Sequence, residues 1–150
     1  MNKKIIATNR KAKFEYFLLE HFEAGIALKG SEIKSIRAGH VSLAEAYVQN
    51  DGKNSWLMNA HIAPYEPASR ENHDPKRSRR LLLNKKENKE LREGTKLKGL
   101  AIIPVEIYLR NGLAKLDIAL GKGKKLYDKR SEIAKKEMKR DLERLNKKND

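Results

Sequence analysis

Short apolar runs punctuated by Asp51-Gly52 and Asn111-Gly112, helix-like segments only at the margins, and a final thirty residues almost without core-forming side chains predict a mainly β domain with flanking helices and a charged tail. Antiparallel strands this short close most readily as a small barrel or sandwich, and an OB-like antiparallel β-barrel is the specific candidate. The expected division is 1–120 for the barrel with its helices and 121–150 for a basic C-terminal tail, disordered alone and helical when bound.

Taken in order, Thr8 or Asn9 caps a helix over about 9–21, in which Ala12, Phe14, Tyr16, Phe17, Leu18 and Leu19 recur at helical spacings. "EAGIALKG" reads as a strand, and Ser31 then caps a short helix bearing Ile33 and Ile36 that Gly39 stops. Two strand-like runs flank "NDGKN", where Asp51 and Gly52 offer positive-φ turn chemistry. The segment 64–80, with Pro64, Pro67 and Pro75 among polar turn formers, reads as an exposed loop, and "NKKENKELREG" as a helix ending at Gly94. In the second hairpin Ile103, Val105, Ile107 and Leu109 alternate with Glu106, Tyr108 and Arg110 before Asn111-Gly112 turns the chain toward Leu116, Ile118 and Leu120. Pro104 marks an edge or a bulge.

A formal charge of +14 predicts a field that captures polyanions, nucleic acid first among them. No stretch approaches the roughly 20 apolar residues of a membrane span, and "MNKKIIATNRKAK" lacks the apolar run of a signal peptide, so a cytoplasmic protein with no membrane partner is expected. The chain has no cysteine, which removes thiolate ligands and Cys nucleophiles. The four histidines, His21, His40, His61 and His73, show no metal-ligand spacing and read as surface or boundary groups. Gly121-Lys122-Gly123-Lys124 lacks the Ser or Thr of a phosphate-binding loop, and Glu23, Glu32 and Glu45 read as solvated surface, not an acid–base pair. No cofactor, catalytic residue or metal site is expected, and a monomer that is not an enzyme is the reading.

"KRSRRLLLN" sets four basic residues in five positions beside a strand. Arg77, Arg79 and Arg80 are candidate phosphate contacts, because flat guanidinium forks match phosphate oxygens; a solubilising loop is the alternative. In the tail, "GKGKKLYDKR" combines Gly121, which permits close backbone approach, with Lys122, Lys124, Lys125, Lys129, Arg130 and one aromatic, Tyr127, able to stack on a base. Beyond it Ala134, Met138, Leu142 and Leu145 form one narrow helical stripe, useful only against a partner or against the barrel itself.

The order of "NRKAKFEYF", "FEAGIALKGSEIKSIRAG", "SLAEAYV", "HIAPYE", "HDPKRSRRLLLNKKE" and "GKGKKLYDKR" resembles the SsrA-binding protein (small protein B) family from about Asn9 to Arg130. The resemblance implies a non-enzymatic RNA-binding protein of trans-translation that binds the tRNA-like domain of transfer-messenger RNA (tmRNA) and brings it to stalled ribosomes. It implies a tail that occupies the small-subunit decoding centre and mRNA channel. By motif, Asn9 and Lys11 of "NRKAK", Glu23 of "FEAG", and Leu82 and Asn84 of "RRLLLN" take RNA-binding positions, while Lys124, Lys125, Asp128, Lys129 and Arg130 take ribosome-engaging ones. Tyr127 stands where some members carry His, and the distal "KRDLERLNKKND" is only loosely similar to the family.

Overall fold

The computed structural model describes residues 3–65 and 72–149, with side chains at all of these except 126–128, 132 and 145–149. Its elements are β1 (Lys3–Thr8), α1 (Arg10–Glu15), β2 (Tyr16–Ile26), α2 (Gly30–Arg37), β3 (Val41–Ser42), β4 (Tyr47–Asn50), β5 (Ser55–Met58), β6 (His61–Ile62), β7 (Arg79–Leu82), α3 (Lys85–Lys98), β8 (Ala101–Arg110), β9 (Leu113–Gly123) and α4 (Leu126–Asn149). Seven strands form one antiparallel sheet in the order β1-β8-β9-β2-β7-β5-β4, and β3 pairs with β6. The sheet curls until β4 lies against β8, yet no ladder joins its two edges, so the expected barrel is hydrogen-bonded as an open sheet.

Strand alternation places Phe22, Ala24, Ile26, Leu57, Leu81, Ile107, Leu116 and Ile118 on the inner face. Ile36 of α2 and Leu91 of α3 complete that core. Asn111 and Gly112 adopt φ of 53° and 78°, the paired left-handed geometry of a tight hairpin between β8 and β9. At the β4–β5 turn Gly52 supplies the positive φ (100°), whereas Asp51 contributes through its carboxylate, which accepts from the N–H groups of Lys53 and Asn54. α3 opens on a reciprocal cap: Asn84 Oδ1 accepts from Glu87 N–H at 2.8 Å, and Asn84 N–H donates to Glu87 Oε1.

Several expectations are corrected. The first helix ends at Glu15 because the aromatic and apolar run from Tyr16 pairs with β9 from Gly123 back to Lys115; tertiary pairing outweighs the helical spacing. Ser31 does not cap α2. Glu32 does, accepting from Lys29 N–H at 2.8 Å, while Ser31 bonds His73 Nδ1. His73 is therefore interior, with Nε2 donating to Ile62 O, while Asp74, Lys76 and Ser78 of the same connection are exposed as expected; 66–71 lie outside the described residues. α3 continues through Gly94 to Gly99, whose left-handed φ of 65° ends it. Gly94 is a packing position: a Cβ there would come within 2.8 Å of Leu120. Pro104 sits at a bulge in a strand flanked on both sides, not at an edge, and Tyr108 is buried although it belongs to the polar half of the alternation. β9 extends through Gly123, so the sheet includes the first three residues assigned to the tail.

The largest departure is Glu32, a fully buried carboxylate. Arg79 Nε donates to its Oε2 at 2.6 Å and Arg77 Nη2 to its Oε1 at 2.5 Å. The buried Arg79 guanidinium also donates to the carbonyls of Ala60 and Pro75, and Arg77 to that of Ala27. One carboxylate thus ties α2, β7 and three connections together. Burial alone would raise its pKa, but the bonds from Arg77, the Lys29 amide and Arg79, with the charge of Arg79, outweigh that and hold it below the ordinary value.

Replacing Glu32 by Gln leaves the Arg79 charge enclosed without a counter-ion, so Glu32→Gln is expected to destabilise by about 3–5 kcal/mol. Chemical denaturation checks this; a loss below about 1 kcal/mol contradicts it. The pH dependence has a definite sign. Because the folded pKa lies below the unfolded one, Glu32's contribution is complete above about pH 4.3 and is lost as pH falls through the folded value. Denaturation midpoints measured across that acidic window are expected to slope less in Glu32→Gln than in the parent.

Candidate nucleic-acid interface

The outer face of the sheet follows from register, since paired residues share a face. One row runs Thr8, Glu106, Asp117, Glu23, and the next runs Ile5, Tyr108, Lys115, Gly25, Leu82. Two residues back along β7, Arg80 stands in register with Trp56 of β5. Three carboxylates stand in one row: Lys3 pairs with Glu106 at 2.7 Å and Arg110 with Glu23 at 2.7 Å, while His21 Nδ1 is hydrogen-bonded to Asp117 at 3.0 Å.

Glu23 is held twice. Arg110 Nη1 and the Tyr108 hydroxyl both donate to its Oε2, which leaves Oε1 available as an acceptor at the partly exposed surface. Tyr108 is fit for that role. Burial first, then the hydrogen bond and charge of Glu23, push its phenol well up, so it remains a donor at neutral pH. Lys3 and Arg110 cover its ring at 4.4 and 5.5 Å.

Beside Glu23 the sheet is left bare at Gly25, where a Cβ would stand 3.1 Å from Leu82 Cβ. The glycine lets Leu82, 52% exposed, lie across the sheet. Asn84 follows at the start of α3; its Oδ1 is engaged by the cap, while its Nδ2 makes no bond among the described residues. Glu23, Leu82, Asn84 and Arg80 therefore belong to one surface spanning β2, β7 and the first turn of α3.

Other sequence candidates lie elsewhere. Arg79 is withdrawn from any external phosphate, being fully buried on Glu32, and Arg77 is half-buried on the same carboxylate. Their local sequence carries the charge of a binding motif, but the fold spends it on an interior counter-ion. Asn9 is buried, with Oδ1 accepting from Ala12 N–H and Nδ2 donating to Pro104 O, so both ends of its amide brace α1 against the β8 bulge. Lys11 is exposed, 3.9 Å from Glu15.

The root of the tail forms a second cluster beside α1. Gly121 packs against Tyr16 and Ile103, Lys122 is exposed on β9, and Lys124 donates its backbone N–H to Glu15 O and its Nζ to Lys13 O, 5.0 Å from the Phe17 ring. Lys125 and Arg130 are exposed and Lys129 half-buried. Tyr127 and Asp128 belong to the first turn of α4, and their side chains lie outside the described residues. No described side chain of α4 is buried: Ile133, Met138 and Leu142 are 45–67% exposed. No helix among the described residues is long and apolar enough to cross a membrane.

The sequence analysis did not single out Tyr108, which it placed in the polar half of the strand alternation, or Trp56, which lies in a strand-like run. The signal that could have found Tyr108 is its place two residues from each of two strand charges, Glu106 and Arg110, which puts all three on one face of the strand.

The profile of the SmpB protein family matches residues 6–148. An SsrA-binding protein of Desulforudis audaxviator is 50% identical over 141 residues, covering 94% of this chain and 92% of its own. Those of Sulfurihydrogenibium sp. and Bacillus cereus are 49% and 50% identical over 96% and 94% of this chain, and 95% and 91% of theirs. A solved chain from work described as "tmRNA-SmpB: a journey to the center of the bacterial ribosome" superposes with a TM-score of 0.65 at 45% identity, over 79% of this chain and 84% of that one. By sequence and by fold, this chain belongs to the SmpB, or SsrA-binding protein, family.

Proposed function

We infer that this protein binds tmRNA and acts with it on ribosomes in trans-translation; the observation that carries the inference is membership of the SsrA-binding protein family over nearly the whole chain. The finer assignment is ours. The outer sheet face around Glu23, Leu82 and Asn84 binds the tRNA-like domain of the RNA as a non-enzymatic docking surface, in the cytoplasm. Its chemistry suits folded RNA: Glu23 Oε1 and Asn84 Nδ2 offer one acceptor and one donor for base edges or 2′-hydroxyls, and Leu82 offers an apolar contact between them.

The tail is assigned to the ribosome. With its apolar stripe of Met138 and Leu142 turned to solvent, α4 gains little from the body of the protein. A helix so weakly supported is expected to be unfolded much of the time and to order when Lys125, Tyr127, Asp128, Lys129 and Arg130 reach the decoding centre and the distal residues enter the mRNA channel.

Two tests follow. Glu23→Ala is expected to weaken tmRNA binding, and Tyr108→Phe to weaken it less, by about 0.5–1.5 kcal/mol, because Arg110 still holds the carboxylate. Filter binding checks the order; a Tyr108→Phe loss equal to or larger than that of Glu23→Ala contradicts it. The triple change Asp128→Ala, Lys129→Ala, Arg130→Ala is expected to leave tmRNA affinity within about twofold, less than 0.5 kcal/mol, while abolishing peptide tagging in a reconstituted stalled-ribosome assay. Parallel loss of both would place the tail in the RNA site.

A further inference from the structure

The surface around Leu82 does not stop at Asn84. The cations of α3 recur as Lys85, Lys89, Arg92 and Lys96, at i, i+4, i+7 and i+11. At 100° per residue they fall within an arc of about 60° and extend along roughly 16 Å of helix. Leu91 and Gly94 are buried on the inward side, and Asn88, also buried, borders the stripe next to Arg92. Glu87 and Glu90 occupy a separate part of the circumference, while Glu93 borders the track, sharing a hollow with Lys89, Arg92 and Lys96 on the side away from the groove lining.

Facing this stripe, Gly52 and Lys53 of the β4–β5 turn and Arg80 of β7 form the opposite wall of a groove of about 620 Å³, with Leu83 and Asn88 between. The lining includes Lys53, Arg80, Lys85, Lys89 and Arg92 and no carboxylate. The Arg92 guanidinium lies over the turn, its carbon 4.0 Å from where a Cβ on Gly52 would stand. Trp56, half-buried, shares the sheet row of Arg80.

None of these five cations forms an ion pair among the described residues, whereas every carboxylate in the row Glu106, Asp117, Glu23 has an ion-pair or hydrogen-bond partner. Like charges one turn apart weaken a helix by about 0.2–0.5 kcal/mol per pair, so the successive neighbours Lys85–Lys89, Lys89–Arg92 and Arg92–Lys96 do not by themselves stabilise α3. Its spacing suits a linear polyanion.

We propose that the groove between α3 and the β4–β5 turn binds the sugar–phosphate backbone of the same tmRNA that meets Glu23 and Leu82, seating consecutive phosphates on Arg80, Lys85, Lys89 and Arg92. The proposal rests on the tmRNA reading above and deepens it: the sheet face contributes selectivity, and the groove contributes sequence-independent, salt-sensitive affinity. Continuity decides the occupant. Leu82 and Arg80 project from one strand, and Asn84 leads directly into the stripe.

The test compares Lys89→Gln/Arg92→Gln with Lys34→Gln/Arg37→Gln, a pair of exposed cations on α2 that removes the same charge away from the groove. Matching denaturation midpoints establish that both are folded. Full-length tmRNA affinity is then titrated from 50 to 200 mM salt. The groove variant is expected to bind more weakly at each salt, with the slope of log K against log salt shallower by about 1.4–1.8, while the α2 variant keeps the parental slope. Equal slopes in all three proteins, or equal losses in the two variants, overturn the proposal. So does a groove variant with parental tmRNA binding and impaired ribosome binding, which would assign the groove to ribosomal RNA. Failure of the parent itself to bind tmRNA sinks the functional reading instead, whereas parental binding that Glu23→Ala weakens and the groove variant does not sinks only the groove.

Discussion

The pairing of Glu32 with Arg79 and Arg77 is the constraint on which the rest of the structure depends. An enclosed guanidinium and an enclosed carboxylate tolerate little displacement, because any separation exposes one buried charge without its partner. Arg79 is the first residue of β7, and its donors to Glu32, Ala60 and Pro75 set where that strand begins and which of its faces looks inward. With Arg79 and Leu81 inside, Arg80 and Leu82 must be outside. A register slip by one residue would bury Arg80 and Leu82 and expose the anchor.

The same logic explains how a strongly basic chain displays an acidic group at the centre of the surface proposed for RNA. Glu23 is not a repelling charge in isolation; Arg110 and Tyr108 neutralise and aim one of its oxygens, leaving the other to accept. On the proposed reading, discrimination comes from a few positioned hydrogen-bonding groups, and attraction from cations at the margin. That reading separates the two roles, so that the face can be specific without being sticky, and leaves α4, carrying its own charge, for a different surface.

Much of this was legible in the residues. Both hairpins, the bulge at Pro104, the cap at Asn9 and the helix after Asn84 follow from local chemistry that survives folding. Hidden features were those decided by partners distant in sequence. Glu32 reads as solvated surface and Arg79 as a candidate phosphate contact, and nothing local indicates that residues forty-seven positions apart will enclose one another. Tyr16 to Leu19 carried helical spacing but found β9. Gly94 looked like a stop signal because its packing reason, Leu120, lies in another strand. Of the site, Glu23, Leu82, Asn84 and Arg80 proved to share a surface, while Asn9, Arg77 and Arg79 serve the fold.

The central claim is that the outer sheet face, not the tail, receives tmRNA. Hydroxyl-radical oxidation of side chains in the free protein and in the binary complex tests it most directly, since Leu82, Trp56 and Met138 are all accessible reporters on the two surfaces. Leu82 and Trp56 should lose reactivity when tmRNA is added while Met138 keeps its own. Shielding of Met138 with Leu82 and Trp56 unchanged would contradict the account.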